Sequence, residues 1–303
     1  GDTWEEQQTT GDVPGPRLAT AMACVGDRVY LFGGWDPQVP GTGGIVLDTV
    51  HCLDLATMAW TQLKDCPIPG GPTSRHVAVA VGQKIVVHNH RCHNFVLVFD
   101  PLDTATFVTQ PTTGPCPSSR GLHAAILVRN HDDENKDTIF VFGGAAKDQS
   151  MSNESFLLDC RTWTWKQLSV ATPTDTDTTT TTTPVLPWPR ASPCLAYLEG
   201  CHTVVLFGGA EIHATTGGLN PRADTWALHL SSSPPLWTLL RNDNDGDNNG
   251  PSPRNAATLS EMTSIDNAEN EGYYSFLLTG GWAPFRETWD DCYRLRVVRN
   301  VND

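Results

Sequence analysis

Five arginines stand just ahead of short apolar segments: Arg17, Arg75, Arg120, Arg190 and Arg254. A guanidinium presents a planar, bidentate fork to a carboxylate. If these five converge, they would favour an acidic ligand, even in a chain whose formal charge is −14. The same groups could instead bridge main-chain carbonyls or an acid in an adjacent unit, and both readings stay open. The densest set of metal-ligand types is His88, His90, Cys92 and His93. Alternation along a strand would send His88 and His90 to one side, with His93 folding back toward them. The segment holds no acid, so loop chemistry is the expected reading; His88, His90 and His93 are weak metal candidates, and no metal or other cofactor is assigned. Trp35, Trp282 and Phe285 follow paired glycines, and aromatics beside arginines are common anchors of recognition surfaces, with His90 grouped among them. No Gly-rich phosphate loop, G-x-S-x-G, H-E-x-x-H or C-x-x-C occurs, so no catalytic residue is assigned.

The elements that must carry these residues recur in a fixed order. An arginine precedes a short strand, a second apolar strand ends in Gly-Gly, an acid precedes a third strand, and a tryptophan marks a fourth. The landmarks are Arg17, Gly33-Gly34, Asp48 and Trp60 in the first unit, and Arg120, Gly143-Gly144, Glu154 and Trp165 in the third. The fourth unit has Arg190, Gly208-Gly209, Asp224 and Trp237, and the fifth has Arg254, Gly280-Gly281 and Asp290. The second departs most: Arg75 opens it, Asn89-His90 replaces Gly-Gly, Asn94 opens the third strand, and Phe107 takes the place of tryptophan. Trp4 lies where an outer strand of a preceding unit belongs, so the two termini are expected to complete one unit between them. Twenty-six Gly and 22 Pro also favour many short elements joined by turns. Self-similarity at this period predicts an all-β propeller of five four-stranded blades. Their approximate bounds are 16–63, 74–110, 119–168, 189–239 and 253–303 plus 1–7, within a single domain spanning 1–303.

The combination of Arg, strand, Gly-Gly, Asp and Trp resembles the kelch repeat over essentially the whole chain. The resemblance implies a kelch-type β-propeller that binds a protein partner and serves as an adaptor or scaffold. Kelch-type adaptors are similar in holding acidic partner segments with arginines near the channel mouth. Kelch-like propellers also occur in copper radical oxidases and nitrile-specifier proteins, which keeps an enzyme as the alternative; a structural subunit of a larger complex is a third. The first would need Tyr and His converging at the mouth, whereas three of the five tyrosines (Tyr30, Tyr273, Tyr274) fall inside second strands. The second would need Glu, Asp and His at four-residue intervals, a run not found here.

Alternating strand direction places the b–c and d–a loops, including Trp35–Leu47 and Trp282–Arg286, at one end of the blades and the acidic a–b loops at the other. The Thr-rich 172–187 and Asn/Asp-rich 242–251 stretches contain too little apolar surface to order themselves and are expected to be mobile insertions without specific function. An excess of acids, 34 against 20 Lys and Arg, argues against nucleic acid and anionic lipid partners. No apolar run reaches the roughly 20 residues of a membrane helix. No signal peptide is visible, and nine dispersed cysteines read as free thiols, so a cytoplasmic or other reducing compartment is expected.

Overall fold

The computed structural model describes residues 5–38, 43–102, 105–129, 137–170, 186–243, 250–262, 273–284 and 287–298. The chain divides into two compact units, Gly1–Gly121 with Asp159–Trp165, and Leu122–Leu158 with Lys166–Asp303.

In the first sheet, β1 (Thr10–Gly11), β2 (Ala21–Val25) and β3 (Arg28–Phe32) precede a ribbon of β4 (Trp35–Asp36) and β5 (Ile45–Val46), then β6 (Val50–Asp54) and β7 (Ala59–Gln62). Its strand order is β1-β7-β6-β3-β2, with β1 parallel to β7. The second sheet is β8 (Val77–Val81), β9 (Lys84–His88), β10 (Phe95–Asp100) and β11 (Thr106–Pro111), paired in sequence order. The third is β12 (Ala124–Val128), β13 (Thr138–Phe142), β14 (Ser155–Asp159) and β15 (Thr164–Gln167). In the fourth, β16 (Cys194–Leu198) and β17 (Thr203–Phe207) are followed by the ribbon β18 (Ala210–Ile212) with β19 (Leu219–Pro221), then β20 (Thr225–His229) and β21 (Leu236–Arg241). The fifth has β22 (Thr258–Glu261), β23 (Tyr273–Thr279), the ribbon β24 (Trp282–Ala283) with β25 (Glu287–Thr288), and β26 (Cys292–Val298) as its edge. The strand expected to complete this sheet centres on Trp4, which lies outside the described residues.

Packing explains the sequence pattern. Thr203–Phe207 is buried at every position, because other sheets of its unit cover both faces, and its sequence is accordingly unbroken β-formers rather than an alternation. Outer aromatics pack onto the residue that ends the second strand of the preceding sheet. Phe107 lies 6.0 Å from Phe32, Trp165 5.6 Å from His88 and Trp237 5.5 Å from Phe142, ring centre to ring centre.

The paired glycines let the next chain segment approach. Gly208 has φ +63°, and a Cβ there would lie 2.7 Å from the Arg254 carbonyl oxygen, while the Gly209 amide donates to that same oxygen at 3.0 Å. Gly143 and Gly144 repeat this against Arg190, and Gly33 and Gly34 against Thr73. Turn amides are accepted by acids at the end of the third strand, Asp54 and Asp159, rather than by acids before it.

Candidate functional site

Four of the five sequence-selected arginines occupy one repeated position, at the bend before the innermost strand. The Arg190 side chain is fully buried. Its Nε donates to the Trp188 carbonyl at 3.0 Å, its Nη1 to the Gly208 carbonyl at 2.9 Å, and its fork to both oxygens of Asp224 at 2.6 and 2.8 Å. Asp224 also accepts from the Trp226 indole at 2.7 Å. Arg254 repeats the arrangement with Ser252, Gly280 and Asp291, and lies 5.0 Å from the Trp289 ring centre. Beside this guanidinium the Asp291 carboxyl is held below its ordinary value. Arg17 is a weaker version: it donates to Gly15, Gly33 and Thr49, without a carboxylate, and partial burial lowers its pKa. Arg120 donates to the Ser118 carbonyl and hydroxyl and is buried.

These contacts correct the expected geometry of the arginines. In the fourth and fifth sheets the repeated acid accepts the arginine of its own sheet, and the guanidinium closes the sheet end instead of presenting itself to solvent. The register also moves the acid: Thr49 rather than Asp48 meets Arg17, and Asp291 rather than Asp290 meets Arg254. Buried charge is tolerated here because each fork is matched by carboxylate or carbonyl oxygens.

Arg75 is out of register. The carbonyls that accept the second-glycine amides belong to Arg190, Arg254 and, in the second sheet, Thr73. Arg75 sits two residues on, with Ala19, Leu122, Ser192 and Ala256, all at φ between 50 and 59°. Its amide donates to Ala19 and its side chain is exposed. The second sheet therefore lacks the whole lock. Thr73 stands for arginine and Asn89 for the first glycine, and the pairing of Val87 with Leu97 puts Phe95, not Asn94, at the acid position. Arg91 compensates from the opposite side: its Nη2 donates to the Gly71 and Pro72 carbonyls, each at 2.9 Å. Gly71 precedes Thr73 by two residues, as Trp188 precedes Arg190, so Arg91 satisfies the carbonyl that the in-register arginine serves elsewhere.

The histidines do not gather as a ligand set. His88 is buried against Trp165, and burial, followed by the Arg120 charge, lowers its pKa to about 4. His90 lies in the turn, with its ring near Arg91 and its carbonyl accepting from Ser119. Among the described residues no group of three or more His, Cys, Asp or Glu could hold a metal, His93 included.

The loop ends hold what sequence reading passed over. The b–c segments of the first, fourth and fifth sheets are ribbons, not open loops. In the first unit, Leu18 bridges Trp35, which in turn pairs with Val46, so three apolar side chains share one row, with exposed Ile45 beside it. In the second unit, Ile212 pairs with Leu219 at a ribbon tip, and both are exposed, as are Trp188 and Trp282. Trp35 is half-buried, with Gly44 against its ring. Phe285 lies outside the described residues. The exposed aliphatics had no visible signal, because an apolar residue in a loop gives no indication of which way it faces.

Four-stranded sheets carrying Gly-Gly second strands, buried arginine locks and outer aromatics define the class: a five-bladed kelch-type β-propeller. The KLHDC2/KLHL20/DRC7 Kelch-repeats domain matches residues 2–132, and kelch repeats are what this chain carries. The Rab9 effector protein with kelch motifs from Gallus gallus is 39% identical over 87 residues, 28% of this chain and 23% of that protein. Acyl-CoA-binding domain-containing protein 4 from Arabidopsis thaliana is 26% identical over 227 residues, 70% of this chain and 30% of that protein. N-(sulfonatooxy)prop-2-enimidothioate sulfolyase from Thlaspi arvense is 30% identical over 158 residues, 48% of this chain and 41% of that protein. The matches thus span between about a quarter and two fifths of these relatives' lengths. The solved structure described as that of YjhT superposes with a TM-score of 0.64 at 16% identity, covering 94% of this chain and 85% of that one, which establishes the fold.

Proposed function

We propose that this chain is a protein-interaction module whose partner engages the loop-bearing ends of the sheets. Kelch-type propellers are in general protein-binding scaffolds. The observation that carries the finer reading is the concentration of exposed apolar side chains on those ends: Leu18, Ile45 and Val46 in one unit, Ile212, Leu219 and Trp282 in the other. Arg75 is the selected arginine with an exposed side chain. It supports an acidic segment as the bound chemistry. The cysteines carry no disulfide, which fits a reducing intracellular compartment, and no helix among the described residues is long and apolar enough to cross a membrane. Nucleic acid is disfavoured by the charge of −14.

Immobilised chain would be compared in quantitative affinity capture with an Arg75→Ala/Leu18→Glu variant and an Ile212→Glu/Trp282→Ala variant. A Leu55→Glu/Leu102→Glu variant alters exposed apolar residues at the opposite sheet ends. Loss of the same partner from either loop-end variant, and retention by the opposite-end variant, is expected. Loss only from the opposite-end variant would refute the reading. Likeness to the sulfolyase supports a second reading, an enzyme using the same ends. Turnover of N-(sulfonatooxy)prop-2-enimidothioate by the purified chain would establish it.

A further inference from the structure

Two of the segments that lead into the arginines also cover the outer edge of a sheet. Thr10–Gly11, ahead of Arg17, pairs parallel with β7: the Thr10 amide donates to the Met58 carbonyl at 3.1 Å and the Asp12 amide to the Trp60 carbonyl at 2.9 Å. Thr113–Gly114, ahead of Arg120, repeats this on β15, where the Thr113 amide donates to the Trp163 carbonyl at 3.0 Å and its carbonyl accepts from the Trp165 amide at 2.8 Å. Both glycines have φ +80°, and a Cβ on either would collide with the tryptophan carbonyl oxygen, so this place admits glycine alone. Asp12 completes the first contact, its carboxylate accepting the Gln62 amide at 3.1 Å.

The second sheet has the same outer edge without the cover. Its leading segment is described in full and goes elsewhere. Pro67 precedes Thr73 as Gly11 precedes Arg17 and Gly114 precedes Arg120; the Cys66 amide donates to Leu63, and Cys66 and Ile68 are buried in the core of the first two sheets. The turn before β11 keeps its left-handed residue, Ala105 at φ +49°, matching Met58 at +52° and Trp163 at +55° before β7 and β15. The Thr112 amide donates inward to Asn94, and alternation from there turns the main chain of Phe107 and Thr109 outward, as at Trp60 and Gln62. Among the described residues no segment pairs with that side. β11 carries no charged residue and Val108 is 55% exposed, so no charge guards this edge.

The geometry points to β11 as a docking edge for a protein partner, separate from the loop ends: an extended segment containing Gly-Asp adds to it in parallel, as the chain's own segments do on β7 and β15. The residue before the glycine donates its amide to the Ala105 carbonyl. The glycine lies over the Phe107 carbonyl, which accepts the aspartate amide, and the aspartate carboxylate accepts the Thr109 amide. Main-chain pairing supplies affinity, and the place that only glycine fits supplies selectivity.

The probe is a fluorescein-labelled peptide, Gln-Gln-Thr-Thr-Gly-Asp-Val-Pro, copied from residues 7–14 and titrated against the full chain by anisotropy. Replacing its glycine by alanine should weaken binding about tenfold or more. Thr109→Pro in the protein removes the outward amide at a place where an edge strand tolerates proline, and should weaken binding by a similar factor at an unchanged melting temperature. In the wild-type chain the peptide should slow hydrogen exchange at the Phe107 and Thr109 amides, a readout that needs no variant. Equal binding of the glycine and alanine peptides would overturn the docking edge. Full binding by Thr109→Pro would also overturn it, because the peptide would then be exchanging with β1 on β7. Slow exchange at both amides in the dilute chain alone would show an edge already covered by the chain itself, and a dimer lost in Thr109→Pro would show one covered by a second copy; either result overturns the partner reading. Loop-end capture is untouched by these outcomes, so the two readings fail separately.

Discussion

Replacing Arg190 by leucine removes a fully buried guanidinium that donates to two carbonyls and to both oxygens of Asp224, itself 1% exposed. Leucine fills part of the space but leaves the Asp224 carboxylate buried, its guanidinium partner gone and the Trp226 indole still donating to it. Breaking a buried pair from one side costs about 3–5 kcal/mol, because the uncompensated charge stays behind. Against a typical domain stability of about 5–15 kcal/mol this is a large fraction. Urea unfolding followed by tryptophan fluorescence and far-ultraviolet circular dichroism would measure it. The Arg190→Leu/Asp224→Leu double variant should recover most of the loss, since exchanging a whole buried pair for apolar groups is often near neutral. Arg75→Ala, at an exposed side chain, should stay within about 0.5 kcal/mol of wild type. A cost below about 1 kcal/mol for Arg190→Leu, or simple additivity in the double variant, would refute the lock.

Three further outcomes follow from the same geometry. Arg91→Ala should destabilise the chain by about 0.5–1.5 kcal/mol by removing the donor to the Gly71 and Pro72 carbonyls, and should cost less in a Thr73→Arg background, where a guanidinium returns to its repeat position; urea midpoints of the four-member cycle test this. Gly208→Ala should cost about 1–3 kcal/mol, because a Cβ would sit 2.7 Å from the Arg254 carbonyl at φ +63°, and a melt matching wild type would count against the close approach. Burial lowers His76 and His88 from 6.5 to about 4, so between those values the unfolded chain binds more protons than the folded one. Their contribution is complete above pH about 6.5 and is lost as pH falls through about 4, and a His76→Gln/His88→Gln variant should flatten the pH dependence of the urea midpoint in that window.

Much of the architecture was legible because its determinants are local. Val29–Phe32, Thr138–Phe142 and Thr203–Phe207 are runs of β-formers that end in glycines where positive φ is needed, and the outer tryptophans follow at regular spacing. The site was less legible. Arg75 looked like a repeat landmark because residue type was matched without register, and a two-residue offset separates a buried tie from an exposed side chain. The role of the acid ahead of the third strand was not legible, because in the case of Asp224 its partner is an arginine 34 residues away.

By itself, then, the sequence determined the strand periodicity, the glycine turns, the aromatic positions and the kelch repeat, since each rests on backbone preference and burial within a few residues. The tertiary structure alone decided which arginines are locked and which is exposed, that Arg91 replaces the missing arginine of the second sheet, and that Leu18, Trp35 and Val46 align in one row. These depend on side chains brought together across strands and sheets, where a shift of two residues changes the partner and reverses the burial.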